Sequence, residues 1–546
     1  MIAKPKEING FDYDTIRADL SKERHSDVKI IYSIMDFLRT DCVRDTVKEL
    51  EMDFSHLGNR YYPRLLLLGV LLYCFARKIY KYGDITSQCR ENRFLRIFTR
   101  GVEPCESTFR NFLNENKSLQ FRKIFLATLL QYNEYDLLKF LHCFIDSTDA
   151  ILRGSKYYKI YKIELKAMGF MAENKLLHNN REKSMKRSYK KLLKILKENP
   201  HDEELQVLIS IILPRIQIYN HKLYKKIDIF EQAIENSNKD FVSITYPTAQ
   251  LIPLKSCKWD IAKNLQMAVT DNNIIIGSIF INDPDDSKAL EKLIPELHTN
   301  FQILADLVEK YGTRNNTKQI KKLLKQSMLI CDSAYDTEAN IVYIDKNELR
   351  SLIMPKITAR HINDEMRKKE KELEYLSGEI TIIDDNTEEN KNNKEDEEKK
   401  STKNDLKIIW NGYMCQFNRP ILCYDKVPID AEVAKGLPEI ATVTTYKYAC
   451  TDCSGCPYQE SCKYKYFSEK IKPYSYDSRN KFTQKYYREL YMQRFQKAES
   501  VFGYFKGLAG VLHLLGNNDL AISNEMYLRN SIYNIIHLVG MKGTIH

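Results

Sequence analysis

The chain has 546 residues, 43% of them hydrophobic and 11% aromatic, which is enough to bury cores in roughly three domain-sized units and excludes a wholly disordered polypeptide. Its 84 Lys and Arg against 73 Asp and Glu leave a net charge of +11, compatible with a polyanionic partner without demanding one. The longest unbroken apolar run, Leu65 to Ala76, is 12 residues between Arg64 and Arg77, short of the roughly 20 that cross a bilayer, so no membrane span is expected. Lys4, Pro5, Lys6 and Glu7 interrupt any apolar leader, and nine of the 13 cysteines stand singly. Both features lead to the expectation of a cytoplasmic protein in a reducing compartment.

In chain order, residues 1–135 read as a helical domain, with three- and four-residue apolar spacings such as Ile30, Ile34, Phe37 and Leu38. Within it Ser107 is the expected N-cap of an amphipathic helix carrying Arg110, Asn111 and Asn114, either a DNA-reading helix with Arg110 on phosphate or a plain cap on the bundle. Residues 136–360 alternate strands and helices, which predicts an α/β sheet interrupted by a lysine-rich helical insertion at about 175–240. Leu141 to Ile145 reads as a strand ended by Asp146. Leu265 to Val269 and Ile274 to Phe280 read as a hairpin turning at Asp271-Asn272-Asn273, and Ser327 to Cys331 as a further strand. A second insertion, 361–445, contains the stretch 384–405 with no hydrophobic residue, the signature of a disordered linker. A cysteine-rich knuckle at 446–470 and a helical end at 471–546 complete the chain.

Three carboxylates stand out. Asp146 and Asp332 each follow an apolar strand, where carboxylates from neighbouring strands can converge on a divalent cation. Glu499 lies on a helix with Lys506 seven residues on; at 100° per residue the two share a face, while Arg494 falls about 140° away. Asp149 is a competing ligand to Asp146. A carboxylate after an apolar run is also a common turn or helix cap.

Asp146-Ser147-Thr148, Asp332-Ser333-Ala334-Tyr335 and the run Arg494, Glu499, Phe502, Gly503, Lys506 together resemble the three motifs of the DDE transposases of bacterial insertion sequences. Asn264-Leu265-Gln266, Asp271 and Asp286 resemble the strands between the first two motifs, and Tyr62-Pro63, Cys89 to Asn92 and Ser107 to Phe112 the helical domain of the same family. Ala262 and Lys263 depart from the small residue and tyrosine of the family pattern. The resemblance implies an RNase H-like (retroviral-integrase-like) catalytic domain, α/β with insertions, behind an all-helical domain. It implies Asp146, Asp332 and Glu499 as catalytic ligands of Mg²⁺ or Mn²⁺, with Lys506 and Arg494 on phosphate. It further implies double-stranded DNA, at element ends and target, as the partner of a homodimer or larger assembly associated with the nucleoid. The rival reading is a non-catalytic DNA-binding descendant acting as a repressor or architectural factor.

Cys450, Cys453, Cys456 and Cys462 are spaced closely enough to hold a structural Zn²⁺. An iron–sulfur cluster and uncoordinated thiols are the alternatives. The flanking Lys463, Tyr464, Lys465 and Tyr466 suit either DNA-backbone contact or a solvated surface.

Overall fold

The computed structural model describes residues 13–23, 25–50, 62–155, 157–237, 240–254, 259–314, 316–356, 406–415, 417–428, 436–456, 459–460, 462, 464–506 and 512–545. The expected linker at 384–405 lies outside the described residues, as does Lys463.

The expected helical domain forms α1 (Tyr13–Ser21), α2 (Ser26–Leu38), α3 (Asp41–Leu50), α4 (Arg64–Ala76), α5 (Tyr82–Glu91), α6 (Arg93–Thr99), α7 (Glu106–Leu113) and α8 (Ser118–Glu134). The apolar run of α4 is buried on every side, as a helix without a polar face must be. Among the described residues no helix is long and apolar enough to cross a membrane.

Strand β1 (His142–Ile151) then begins a seven-stranded sheet. It does not end at Asp146: the aspartate sits inside the strand, and the polar residues 146–149 continue it because they pair with a neighbour along their whole length. An insertion follows, made of β2 (Lys159–Tyr161), α9 (Lys162–Glu173), α10 (Glu182–Glu198), α11 (Glu203–Ile212), α12 (His221–Tyr224), α13 (Ile227–Ser237) and β3 (Phe241–Ser243). Its helices enclose a core of their own, with Leu165, Met168, Leu192, Ile212 and Phe230, and β2 pairs with β3 to close it.

The chain returns to the main sheet as β4 (Gln250–Pro253), β5 (Trp259–Thr270) and β6 (Ile275–Ile281), the last two being the expected hairpin. Asn273 adopts φ of 58° in the turn, a conformation asparagine tolerates better than most residues. Helices α14 (Ala289–Tyr311) and α15 (Thr317–Gln326) cross over to β7 (Met328–Cys331), and α16 (Glu338–Lys346) crosses to β8 (Arg350–Ile353). The order is β4-β5-β1-β7-β8, with β6 also on β5; β1 is antiparallel to β5, and β1, β7 and β8 are parallel.

A second, antiparallel sheet is not expected from the sequence: β9 (Lys407–Ile409), β10 (Gly412–Met414), β11 (Pro420–Pro428), β12 (Thr444–Cys450) and β13 (Tyr466–Ile471), in the order β13-β12-β11-β10-β9. The cysteine-rich segment is the connection between β12 and β13, so it hangs from a sheet with its own tyrosine-rich core (Tyr413, Tyr446, Tyr448, Tyr476) and does not stand as an isolated knuckle. The chain continues through α17 (Pro473–Phe482), α18 (Lys485–Arg494), a π-helical turn (Phe495–Glu499), α19 (Ser500–Phe505), β14 (Leu512–His513), parallel to the end of β1, and α20 (Asp519–Ile545).

Helix α20 fastens the helical domain to the sheet. It packs on α2, α4 and α8 on one side and on β6 on the other, within one continuous apolar core. Buried asparagines bridge both sides. Asn534 donates to Thr128 Oγ1 of α8 (3.1 Å) and to the Ile275 carbonyl of β6 (3.0 Å), and accepts from the Ile275 N–H (3.1 Å). Asn524 donates to the carbonyls of Leu113 (2.9 Å) and Glu115 (3.1 Å). These contacts satisfy buried backbone groups that would otherwise each cost about 1–3 kcal/mol. The departure at Lys263 has an explanation here too: its buried ammonium pairs with Asp519 at 2.6 Å, at the start of α20, and lies 6.0 Å from the Tyr246 ring.

Candidate active site

Side chains alternate across a strand, so Phe144 and Asp146 share one face of β1, and Ile330 shares that face of β7. Phe144 is paired with Ile330, the last bonded pair of the parallel ladder, and Asp146 and Asp332 each follow that pair by two residues, Asp146 still within β1 and Asp332 one residue past β7. Phe144, Ile330 and Leu352 pack against Phe482, Leu490 and Tyr491, so α17 and α18 cover this face. At the end of α18, Arg494 reaches down and donates from Nη1 to Asp146 Oδ2 at 2.7 Å. Both side chains of the pair are largely buried. Asp146 Oδ1 accepts the Ser147 N–H (2.9 Å), and Asp332 Oδ1 accepts the Ala334 N–H (2.8 Å), capping a 3₁₀ turn, Ser333–Tyr335. Burial works against the charge on Arg494, but Asp146, Tyr491 and Asp332 outweigh it and hold the guanidinium firmly protonated. Burial, with Asp332 and Asp146 nearby, pushes the Tyr491 hydroxyl up to about 12 against the opposing pull of Arg494. Asp146 therefore pairs directly with the Arg494 charge, while Asp332 acts on it only through space.

The helix that carries Glu499 is not uniformly α-helical. Phe495–Glu499 is a π turn, whose i→i+5 bonding moves the residue standing over Arg494 from 498 toward 499. The 140° separation expected for a regular helix does not apply, because the extra residue in the turn brings Glu499 closer to the line of Arg494. Its side chain is exposed. Lys506 is the C-cap of α19, with extended backbone (φ −72°, ψ 131°), and its ammonium lies 5.7 Å from the Phe502 ring. The shared helical face expected for Glu499 and Lys506 thus ends one residue early. Asp149 lies on the opposite face of β1 from Asp146 by strand alternation, which removes it as a competing ligand.

Behind the aspartates a hydrogen-bonded chain ties the two strand ends together. Ser147, on the far face of β1, donates to Asp286 Oδ2 (2.9 Å), and Asn264 Nδ2 (2.9 Å) and Gln266 Nε2 (2.5 Å) donate to Asp286 Oδ1. Tyr335 donates to Gln266 Oε1 (2.5 Å), and Asn340 holds the Asp286 carbonyl (2.8 Å). The chain runs from the turn capped by Asp332 to the residue after Asp146. Burial raises the Asp286 pKa, and the hydrogen bonds from Asn264, Ser147 and Gln266 oppose that rise. The sequence connects Asn264, Gln266 and Asp286 with the intervening strands but gives no sign of their convergence, which joins residues up to 139 positions apart. Asp286→Ala leaves the Asn264 amide and the Ser147 hydroxyl without this acceptor, Gln266 keeping Asn264 Oδ1 at 3.0 Å, and is expected to destabilise the fold by about 2–4 kcal/mol, measured by denaturant unfolding. A loss under about 0.5 kcal/mol would show that the chain of hydrogen bonds is not a structural tie.

The remaining expected site residues are placed as follows. Arg110 lies on α7 with its guanidinium 5.5 Å from the Tyr82 ring and 3.9 Å from Glu106, half exposed. Cys105, not Ser107, is the N-cap of that helix, and its sulfur lies 3.0 Å from Ser107 Oγ, which draws the serine inside the first turn. Cys450, Cys453, Cys456 and Cys462 are free and partly exposed. A hydrogen bond with Cys450, followed by burial and the neighbouring sulfurs, pushes the Cys453 thiol up, toward the protonated form. Among the described residues no group of three or more His, Cys, Asp or Glu side chains could hold a metal ion, so zinc at these thiols finds no support. For a divalent cation at the carboxylates, the donors are hard oxygens of the right kind, and Asp146 already holds a cation, the Arg494 guanidinium, whose charge Asp332 also favours. The pair fits such an ion; Glu499 is not drawn into it.

Residues 435–536 match the family described as the transposase DDE domain. The matched span takes in the cysteine-rich hairpin, Arg494, Glu499 and Lys506, and does not reach back to Asp146 or Asp332. No curated protein and no solved structure matches the chain.

Proposed function

We propose that this chain, which the match over residues 435–536 supports as a DDE transposase of the insertion-sequence type, cuts DNA at the ends of its element and joins them to target DNA. The observation that supports the reading is that Asp146, inside β1, pairs with an arginine from the helix that leads to Glu499, while Asp332 follows directly on the adjacent parallel strand β7. The sheet order, with a central β1 antiparallel to β5 and parallel to β7, supports an RNase H-like core. Asp146 and Asp332 would hold a divalent cation, with Glu499 the third carboxylate at the solvent rim; such an ion, when bound, activates a water or 3′-hydroxyl and stabilises the leaving oxygen of a phosphodiester. Arg494 keeps Asp146 aimed before DNA arrives, and a guanidinium at that depth is also a donor for a phosphate oxygen. Lys506 lies one residue past α19, where a flexible ammonium can reach a neighbouring phosphate.

The test is direct. Purified chain is incubated with Mg²⁺ or Mn²⁺ and linear DNA carrying the sequences that flank its reading frame, and cleaved and joined products are resolved on a gel. Discrete cuts at the flanking repeats are expected. Tight binding to those repeats with no cleavage under either ion would favour the rival reading, a DNA-binding descendant without chemistry.

A further inference from the structure

Helix α10 carries a feature that the site does not use. Setting Lys183 at 0° and advancing 100° per residue, Arg187, Lys190, Lys194 and Lys197 all fall within about 40° of it, with Lys186 and Lys191 on the flanks. Ser188 and Leu192, buried in the core of the insertion, and Met185, Ile195 and Leu196, packed against it, lie on the opposite side, so the cations form an outward ridge. All seven are exposed. Lys186 pairs with Glu182 (2.6 Å) and Lys194 with Glu198 (3.5 Å), both at the helix ends, and none of Lys183, Arg187, Lys190, Lys191 and Lys197 makes an ion pair among the described residues. The acids of the same insertion leave the middle of α10 free: Glu182 and Glu198 stand at its two ends, Glu203 and Glu204 on α11, and Asp228, Glu231 and Glu235 on α13, all exposed, so the span from Lys183 to Lys197 contains none. A merely solvated surface has no need of such sorting, because mixed signs serve solubility as well.

We infer that the α10 ridge is a sequence-independent grip on the backbone of duplex DNA. From Lys183 to Lys197 the ridge is about 21 Å long at 1.5 Å per residue, the length of about six base pairs at 3.4 Å each. Successive cations on it rise by about 4.5 or 6 Å, so several can meet phosphates along one groove edge. Lysines and an arginine held on phosphates position a duplex without reading its bases, which suits DNA that the enzyme must hold whatever its sequence, target or flank, rather than the element end. A membrane surface is the poorer fit, because the apolar side of α10 is already buried against the insertion and is not free to enter lipid. The insertion also lies close enough to the aspartates to serve DNA held there, since it leaves the sheet at the end of β1, five residues or about 17 Å beyond Asp146. The inference deepens the proposed function and rests on it for the identity of the bound DNA.

The experiment uses the full chain with Lys183, Arg187, Lys190, Lys194 and Lys197 replaced together by Gln, and a second variant in which the four lysines become Arg. Affinity for an unrelated duplex of about 30 base pairs is measured between about 50 and 200 mM salt, with circular dichroism to check that the helix persists. For a ridge holding about four phosphates, the Gln variant is expected to lower the slope of log affinity against log salt by about 3–4, and the Arg variant to retain the original slope. A Gln variant with unchanged slope and affinity overturns the ridge, and if the same protein still cuts element-end DNA the transposase reading stands without it. Loss of the slope in a chain that never cuts DNA sinks the catalytic reading and keeps the ridge. An acidic protein or single-stranded RNA that outcompetes the duplex overturns the assignment to duplex DNA.

Discussion

Asp332→Ala is expected to abolish cleavage and joining, a loss of three decades or more, while affinity for DNA stays within a few-fold. On the proposed reading it would remove a ligand of a cation that contributes several kcal/mol to the transition state, which at about 1.4 kcal/mol per decade sets that scale. Asp146→Ala is expected to lose as much activity and, in addition, about 3–5 kcal/mol of stability, because it strands the Arg494 guanidinium, 2.7 Å from its partner, inside the protein. The two effects separate in a double variant. Asp146→Ala with Arg494→Met removes both charges, so unfolding should recover most of the lost stability while strand cleavage stays absent. Measurable strand transfer by either aspartate variant would remove these residues from the chemistry, whatever their effect on folding.

The second large effect lies in the other sheet. Arg479, on α17, is fully buried, and donates to Glu469 Oε2 (2.8 Å), to the Tyr413 hydroxyl (2.8 Å) and to the Tyr448 hydroxyl (2.7 Å), with its guanidinium 4.9 Å from the Tyr476 ring. The Tyr413 hydroxyl in turn donates to Glu469 (2.7 Å). Arg479→Met leaves Glu469 buried without its counter-charge, which is expected to cost about 3–5 kcal/mol and to unfold the second sheet at lower denaturant than the main core. Adding Glu469→Leu to the same variant should return most of that stability, since an apolar pair of similar volume is often no worse than a buried ion pair. Near-ultraviolet circular dichroism, sensitive here to the stacked Tyr446 and Tyr476, follows the local transition. If Arg479→Met unfolds like the unmodified chain, the pair contributes nothing to holding the sheet on α17.

Local patterns carry much of the architecture. The β5–β6 hairpin is legible because two apolar runs flank a turn of asparagines, and the strand before Asp332 because four apolar residues end at a polar cap. β1 reads too short in the sequence since Asp146 to Asp149 is polar, and nothing local announces that Arg494, 348 residues later, answers the aspartate. The π turn leaves no trace in composition, because a helix with one residue too many keeps the same residue preferences; only the backbone bonding reveals it. The second sheet escapes a sequence reading because its strands are short, rich in Lys and Tyr, and drawn from segments separated by loops without a repeating apolar pattern. Within the site, residue types at the strand ends are readable, whereas the convergence on Asp286 and Arg494 depends on contacts that no spacing encodes.

The place of α20 has a consequence for the order of biosynthesis. Asn534 bonds Thr128 across 406 residues, and α4 and α8 bury their apolar sides against the same helix. At about 5–20 residues per second a ribosome takes roughly 20–80 s to travel that distance, and for this time the early helices have no lid for their most apolar surfaces. Until then only their contacts with one another, α2 on α4 and α3 on α8 among them, cover part of that surface. A chain cut short before α20 is therefore expected to leave these faces of α4 and α8 uncovered and to be cleaved by protease faster than the full chain.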